Sequence, residues 1–264
     1  MTPFRLNHAS FSRLVLALLG LSLFAAACST VPVTGRSALN LIPDGQANAL
    51  GADAYQQVLT ENRIITSGPD YERVVRVGRA LAEVSNEPSF VWDFNLIDDD
   101  KQVNAFCLPG GKVAVYSGIL PVCQNADGLA VVMGHEIAHA VARHGSERMT
   151  NGLAFEIGGM GLEALLGEKS PQSRQLILAA YGMGGQVGIL LPFSRNHESE
   201  ADRIGLIYMA KAGYDPQEAP RFWERMNAAG GARPPAWLST HPDPANRVRD
   251  LQKWMPEALS YYQK

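Results

Sequence analysis

The sequence predicts an α+β fold, mostly helical, with one small β-sheet or hairpin. Two patterns carry that reading. Apolar residues recur at helical spacing over most of the chain, and alternation with period two is confined to residues 90–117. The composition agrees: of 264 residues, 46% are hydrophobic and 19% charged, as in a globular chain with a sizeable core. The formal net charge is -3, with 23 Lys+Arg against 26 Asp+Glu. That leaves no basic excess to follow a phosphate backbone, so nucleic acid is not an expected partner. No apolar run in the body reaches the ~20 residues of a spanning helix, which excludes a polytopic membrane protein.

The amino terminus reads as an address. Residues 1–13 carry Arg5 and Arg13 and no acid, and an apolar stretch from Leu14 to Ala27 precedes Cys28. This is the pattern of a secretory leader, outside the fold. Its end resembles a bacterial lipoprotein signal, with Cys28 as the lipid-bearing first residue, although Ala25 stands where Leu is usual. Plain secretion is the alternative. Ser29 after the cysteine suggests, by analogy with Gram-negative lipoproteins, the outer membrane. The expected organisation is a signal peptide over 1–27, a lipidated linker over 28–43 and a folded domain over 44–264. The expected location is the periplasmic face of the outer membrane, lipid-anchored, with a secreted or soluble periplasmic form as the alternative.

Along the body, Gln46–Leu59 and Tyr71–Val84 read as helices, the second with Val74, Val75, Gly78, Leu81 and Ala82 on one side. Phe90–Ile97 alternates as a strand. Val103–Leu108 and Lys112–Ser117 read as two more, joined by the turn Pro109-Gly110-Gly111. Asp127 to about Met149 reads as one long helix, with Asp127 or Asn125 as its cap. Residues 150–191 combine glycine with apolar runs. They are expected to form a helical lid or plug over a cleft, with membrane-surface contact or a plain helical core as alternatives. Asn196–Ala212 is helical and stops at Gly213; Pro216–Ala229 and Pro244–Trp254 follow, each opened by proline. Cys107 and Cys123 show no metal-site spacing; in an oxidising compartment they are either bridged or buried free thiols.

The chemistry concentrates in three segments. In His135-Glu136-Ile137-Ala138-His139, two imidazoles four residues apart share one helical face and can bind one zinc ion, leaving a position open. Glu136 can then reach the open side and take a proton from zinc-bound water. At this composition, chance predicts roughly 0.007 such patterns in the whole chain. Burying two histidines and a glutamate among Leu129, Val132, Met133 and Ile137 also costs several kcal/mol unless they are satisfied. In the second segment, Glu198 and Asp202 share a face that Glu200 cannot. Glu198 is therefore the favoured third ligand, Glu200 the alternative, and Asp202 a hydrogen-bond partner for the far nitrogen of a zinc-bound histidine. His197 reads as a surface residue. His144, five residues past His139, is expected to point elsewhere and to be structural. The third segment, Ser239-Thr240-His241-Pro242-Asp243-Pro244 with Arg247, is a polar, Pro-rich loop and helix start.

Together HEIAH, HESEAD and THPDPANR resemble the zinc metallopeptidase family that includes the CAAX prenyl endopeptidases, the bacterial heat-shock membrane protease and the periplasmic beta-barrel-assembly-enhancing protease. The resemblance covers roughly residues 30–255. It implies a gluzincin-type, zincin-like domain with one Zn2+ per chain, held by His135, His139 and Glu198 of the Glu-x-x-x-Asp motif. The chain departs from the longer periplasmic members, which continue in a helical-repeat tail, and from the integral members, which carry transmembrane helices. On that pattern it is similar to a short lipoprotein subgroup. The resemblance also implies that the loop folds back over the metal. There His241 either donates to the oxyanion or sits on the zinc as a blocking ligand, and Arg247 is a second oxyanion candidate or an exposed helix arginine. The strand with Asn104 resembles the family's edge strand, which pairs with substrate backbone.

The function so implied is a zinc-dependent metalloendopeptidase acting on unfolded or misassembled envelope proteins by Glu136-assisted attack of zinc-bound water. Its expected partners are those substrates, a membrane reached through the lipid on Cys28, and the outer-membrane assembly machinery. Two rivals stand beside it: a non-proteolytic zinc hydrolase, and a chaperone-like lipoprotein for outer-membrane proteins with little proteolysis. Glu136 argues against the second, because a structural metal needs no base.

Overall fold

A computed structural model of the chain describes residues 28–166, 191–229, 237, 241 and 246–263. Among them the architecture is α+β. The helices are α1 (Asp44–Glu61), α2 (Pro69–Ser85), the short α3 (Leu120–Cys123), α4 (Ala126–Val141), α5 (His144–Leu165), α6 (Leu191–Lys211), α7 (Glu218–Ala229) and α8 (Arg247–Tyr261). The strands are β1 (Cys28–Thr30), β2 (Ser37–Leu39), β3 (Ile64–Ile65), β4 (Asp93–Ile97), β5 (Ala105–Leu108) and β6 (Lys112–Tyr116).

The main sheet has the order β3-β4-β6-β5. Its β4–β6 pair is parallel; the β3–β4 and β5–β6 pairs are antiparallel. Gly110 and Gly111 both turn at positive φ (83° and 80°), as a tight hairpin between β5 and β6 requires. One face of the sheet packs Phe94, Leu96, Val113 and Val115 into the main core with α2 and α4. The other is covered by α1, whose Tyr55 is fully buried with Ile97, Ala114 and Tyr116. Tyr55 donates its hydroxyl to the Val113 carbonyl at 2.6 Å.

Helix α4 runs through the centre, and its residues are almost all buried. Asn125 rather than Asp127 caps it, accepting from the Gly128 amide at 2.9 Å; the Asp127 carboxylate instead accepts from the Asp215 amide at 3.0 Å. Against α4 lies α6. Where the two helices meet, Gly134 faces Gly205, so closely that a Cβ on Gly205 would stand 2.8 Å from the His135 amide nitrogen. Helix α6 then stops as its glycine signal predicts: Gly213 has φ +83°, and the Tyr214 amide donates to the Met209 carbonyl at 2.9 Å.

Three expectations are corrected. The helix expected over Asp127–Met149 is two helices, because Arg143 adopts a left-handed conformation (φ 59°) and redirects the chain between α4 and α5. Arg143 is held there by a two-point ion pair with Asp44, at 2.8 Å on both contacts. The stretch 29–43, expected as a linker, folds into the antiparallel β1–β2 hairpin, with Val31 and Ala38 buried in the core. The last helix continues to Tyr261, past Trp254, with Pro256 in its interior; Pro244 lies outside the described residues. The first part of the Gly-rich region continues α5, with Leu153, Ile157 and Met160 exposed. The rest of that region, with its expected lid, and the leader over 1–27 lie outside the described residues. Cys107 and Cys123 stand as free thiols. No described helix is long and apolar enough to cross a membrane.

Candidate metal centre

The site forms where α4 and α6 touch. Helical spacing sets His135 and His139 on one turn of α4, with their Nε2 atoms 3.0 Å apart. The Gly134–Gly205 contact lets α6 deliver Glu198 to both rings. Its Oε2 lies 3.3 Å from His135 Nε2 and its Oε1 3.3 Å from His139 Nε2. His241 completes the group, its Nδ1 3.0 Å from Glu198 Oε1 and 3.3 Å from His135 Nε2. The four donor atoms all lie within 4.8 Å of one another.

These residues fit a zinc ion. Donors about 2.0–2.1 Å from a tetrahedral zinc lie about 3.3 Å from each other, close to the separations above. The far nitrogen of each α4 histidine has its own partner: His135 Nδ1 lies 2.9 Å from Asp202 Oδ1, and His139 Nδ1 lies 2.8 Å from His144 Nδ1. Each Nε2 lone pair can then face the centre. Without a cation the cluster is electrostatically split. Burial disfavours charge on His135, but Asp202 and Glu198 outweigh it and push its pKa up to about 10. Burial pushes His139 well below its ordinary value. Glu198 is buried too, yet hydrogen bonds from His135, His139 and His241 hold it far below the usual carboxylate range.

Glu136 is 3% exposed and opens onto a cleft of about 580 Å³ that His139, Glu198 and His241 also line. Its Oε1 accepts from Trp237 Nε1 at 2.6 Å and lies 3.4 Å from His241 Nε2. The wall of the cleft is β5, an edge strand whose described partner is β6 alone. Asn104 stands at the head of that wall. Its side-chain oxygen accepts from the Ala105 amide at 3.0 Å, and its carbonyl from the Tyr116 amide.

Several residues are placed differently from the sequence reading. Arg247 is 3% exposed and is turned onto carboxylates rather than toward the cleft. Its Nε donates to Asp202 Oδ2 at 2.6 Å and its Nη2 to Glu198 Oε2 at 3.0 Å, with the guanidinium 3.6 Å from the Trp223 ring centre. It is not an exposed helix arginine. Glu200 faces away from the cluster, toward Arg36, Thr34 and His144. His144 does not point elsewhere: the break at Arg143 swings it back against His139. His197 is no surface residue; it is 3% exposed, stacks on His144 and lies 3.2 Å from Glu147.

Trp237, Arg36 and Glu147 were not legible as site residues. Trp237 lies in a Pro-rich stretch that reads as a loop, and Arg36 in a stretch whose polarity reads as linker. The one available signal was the pair Val31 and Ala38, two apolar residues that a linker does not need.

The model of peptidase family M48 matches residues 70–255. The mitochondrial metalloendopeptidase OMA1 of Schizosaccharomyces pombe is 40% identical over 233 residues, which cover 86% of this chain and 66% of that protein. The protein of the same name from Saccharomyces cerevisiae is 36% identical over 66% of this chain and 50% of its own length. The beta-barrel assembly-enhancing protease of Escherichia coli K12 is 32% identical over 87% of this chain and 48% of its own length. The chain thus spans about half to two thirds of the length of these relatives.

Proposed function

The chain belongs to peptidase family M48, and from that membership we propose that it is a zinc-dependent metalloendopeptidase. The observation that carries the reading is a buried acid, Glu136, opening onto a cleft beside four converging metal donors. His135, His139 and Glu198 would hold the ion, with His241 at the fourth place. When bound, zinc supplies Lewis acidity, which polarises the scissile carbonyl and acidifies water.

The chain's own residues do the rest. Glu136 takes a proton from the attacking water and delivers it to the leaving amine as the C–N bond breaks. Its contact with Trp237 keeps the carboxylate in one orientation. Asp202 fixes the His135 ring, and Arg247 holds both Asp202 and Glu198. Arg247 thus acts as a positioning residue. His241 Nδ1 lies among the ligand atoms, which favours its role as a blocking ligand that must withdraw before substrate enters. The outer edge of β5, beside Asn104, carries no other described strand and can take an extended segment; such strand addition selects for disorder rather than sequence. Unfolded or misassembled proteins fit that demand.

The envelope setting rests on the leader over 1–27 and on Cys28 as a lipidation site, which gives a periplasmic, outer-membrane-anchored enzyme. The relative named for barrel assembly is consistent with such substrates. Glu136→Gln tests the reading. The variant should bind zinc and unfold as the wild type does, while cleavage of unfolded casein falls by about 10²–10⁴-fold. Retained cleavage would remove the mechanism. If the wild type itself cleaved no unfolded substrate but prevented aggregation of outer-membrane proteins, and Glu136→Gln did so equally well, the chaperone-like alternative would take its place.

A further inference from the structure

We propose that Arg36, in the N-terminal hairpin, is a positioning residue of the metal centre: it holds Glu200, which orients His144, which fixes the ring of His139. The proposal deepens the zinc reading above and rests on it.

With a metal held at His139 Nε2, these contacts fit one arrangement of ring protons. His139 turns Nε2 toward the cluster, 3.0 Å from His135 Nε2 and 3.3 Å from Glu198 Oε1. A lone pair offered to a metal there puts the ring proton on Nδ1. That N–H meets His144 Nδ1 at 2.8 Å, so His144 must accept at Nδ1 and carry its own proton on Nε2. His144 Nε2 in turn lies 3.0 Å from Glu200 Oε2, which accepts. The donations run from the metal ligand outward and end on a carboxylate. His135 ends on Asp202 directly. The two carboxylates are held alike, Asp202 by Arg247 and Glu200 by Arg36, whose Nε donates at 2.8 Å.

The hairpin supplies this hold. Thr34 donates its hydroxyl to Glu200, and Arg36 Nη1 and Nη2 grip Glu147 at 2.9 and 2.8 Å. Glu147 lies against His197, which stacks on His144. The turn is closed by the Val31 amide on the Arg36 carbonyl at 2.8 Å and the Gly35 amide on the Val31 carbonyl at 3.0 Å. Without the guanidinium, Glu200 keeps a nearly buried charge with less compensation. It no longer fixes His144, whose other tautomer would set N–H against N–H at His139. The segment that follows Cys28 is therefore part of the metal centre.

The test uses the full chain and reads zinc affinity by competition with a chromophoric chelator. Arg36→Ala and His144→Phe should each weaken zinc by about 10–100-fold, the usual cost of losing such an outer partner. The double variant should be little worse than either single one, since both cut one relay. Nitrogen-15 spectra of the apoprotein should show His139 losing its preference for the Nδ1–H tautomer. Ile97→Ala is the control, because it opens the separate core between the sheet and α1 without touching the hairpin or the relay. It should lower the thermal midpoint and leave zinc affinity within about twofold. Arg36→Lys, which keeps the charge but not the grip on two carboxylates, takes the place of Arg36→Ala if that variant fails to fold, and it too should weaken zinc. Wild-type affinity in either relay variant overturns the inference, as does equal weakening by Ile97→Ala. A wild-type protein that binds no zinc overturns the metal reading itself.

Discussion

Glu198 reaches both α4 imidazoles with one carboxylate, an oxygen 3.3 Å from each ring. His241 meets the same carboxylate at 3.0 Å and fills what would be the open side. If that imidazole blocks the site, His241→Ala is expected to raise the turnover of an unfolded substrate several-fold without changing zinc content. A loss of about 10²-fold would assign it to oxyanion stabilisation instead. At this scale the sequence was most informative where spacing does the work. His135, Glu136 and His139 follow from one helical turn, and Glu198 with Asp202 from another. It was silent where a contact joins distant segments without periodicity, as between Trp237 and Glu136 or between Arg36 and Glu200. His144 was misread for a third reason: its direction depends on a helix break at Arg143, and arginine is not a residue that signals a left-handed backbone.

The helix pair α4–α6 sets the site, and two glycines set the pair. A methyl group on Gly205 would meet backbone atoms of α4, at 2.8 Å for the His135 nitrogen, so no side-chain rotation relieves it. Gly205→Ala is therefore expected to cost about 1–3 kcal/mol in denaturant unfolding and to weaken zinc binding by separating Glu198 from the two rings. Gly145→Ala, on α5 with open space around it, should do neither. Equal stability of Gly205→Ala and wild type would show that the helices do not need this approach. The helices and strands themselves were readable from their periods, usually to within a few residues at the ends. The β1–β2 hairpin was not, because three-residue strands carry too little alternation to stand out from a polar stretch.

Over the whole molecule, one central helix carries the two imidazoles and everything else closes on it. The sheet lies on one side with its edge strand along the cleft, α6 brings the acids, and α8 brings the arginine that holds them. The N-terminal hairpin is built into the same core. If Cys28 carries a lipid, the attachment lies in a strand of the folded body, not on a long leash.

Zinc content by mass spectrometry tests the centre of this account most directly, measured on purified full-length protein beside Glu198→Ala and Glu136→Gln. The account predicts about one zinc per chain in wild type and in Glu136→Gln, and a large loss in Glu198→Ala. Full zinc in Glu198→Ala, or none in wild type, would contradict it.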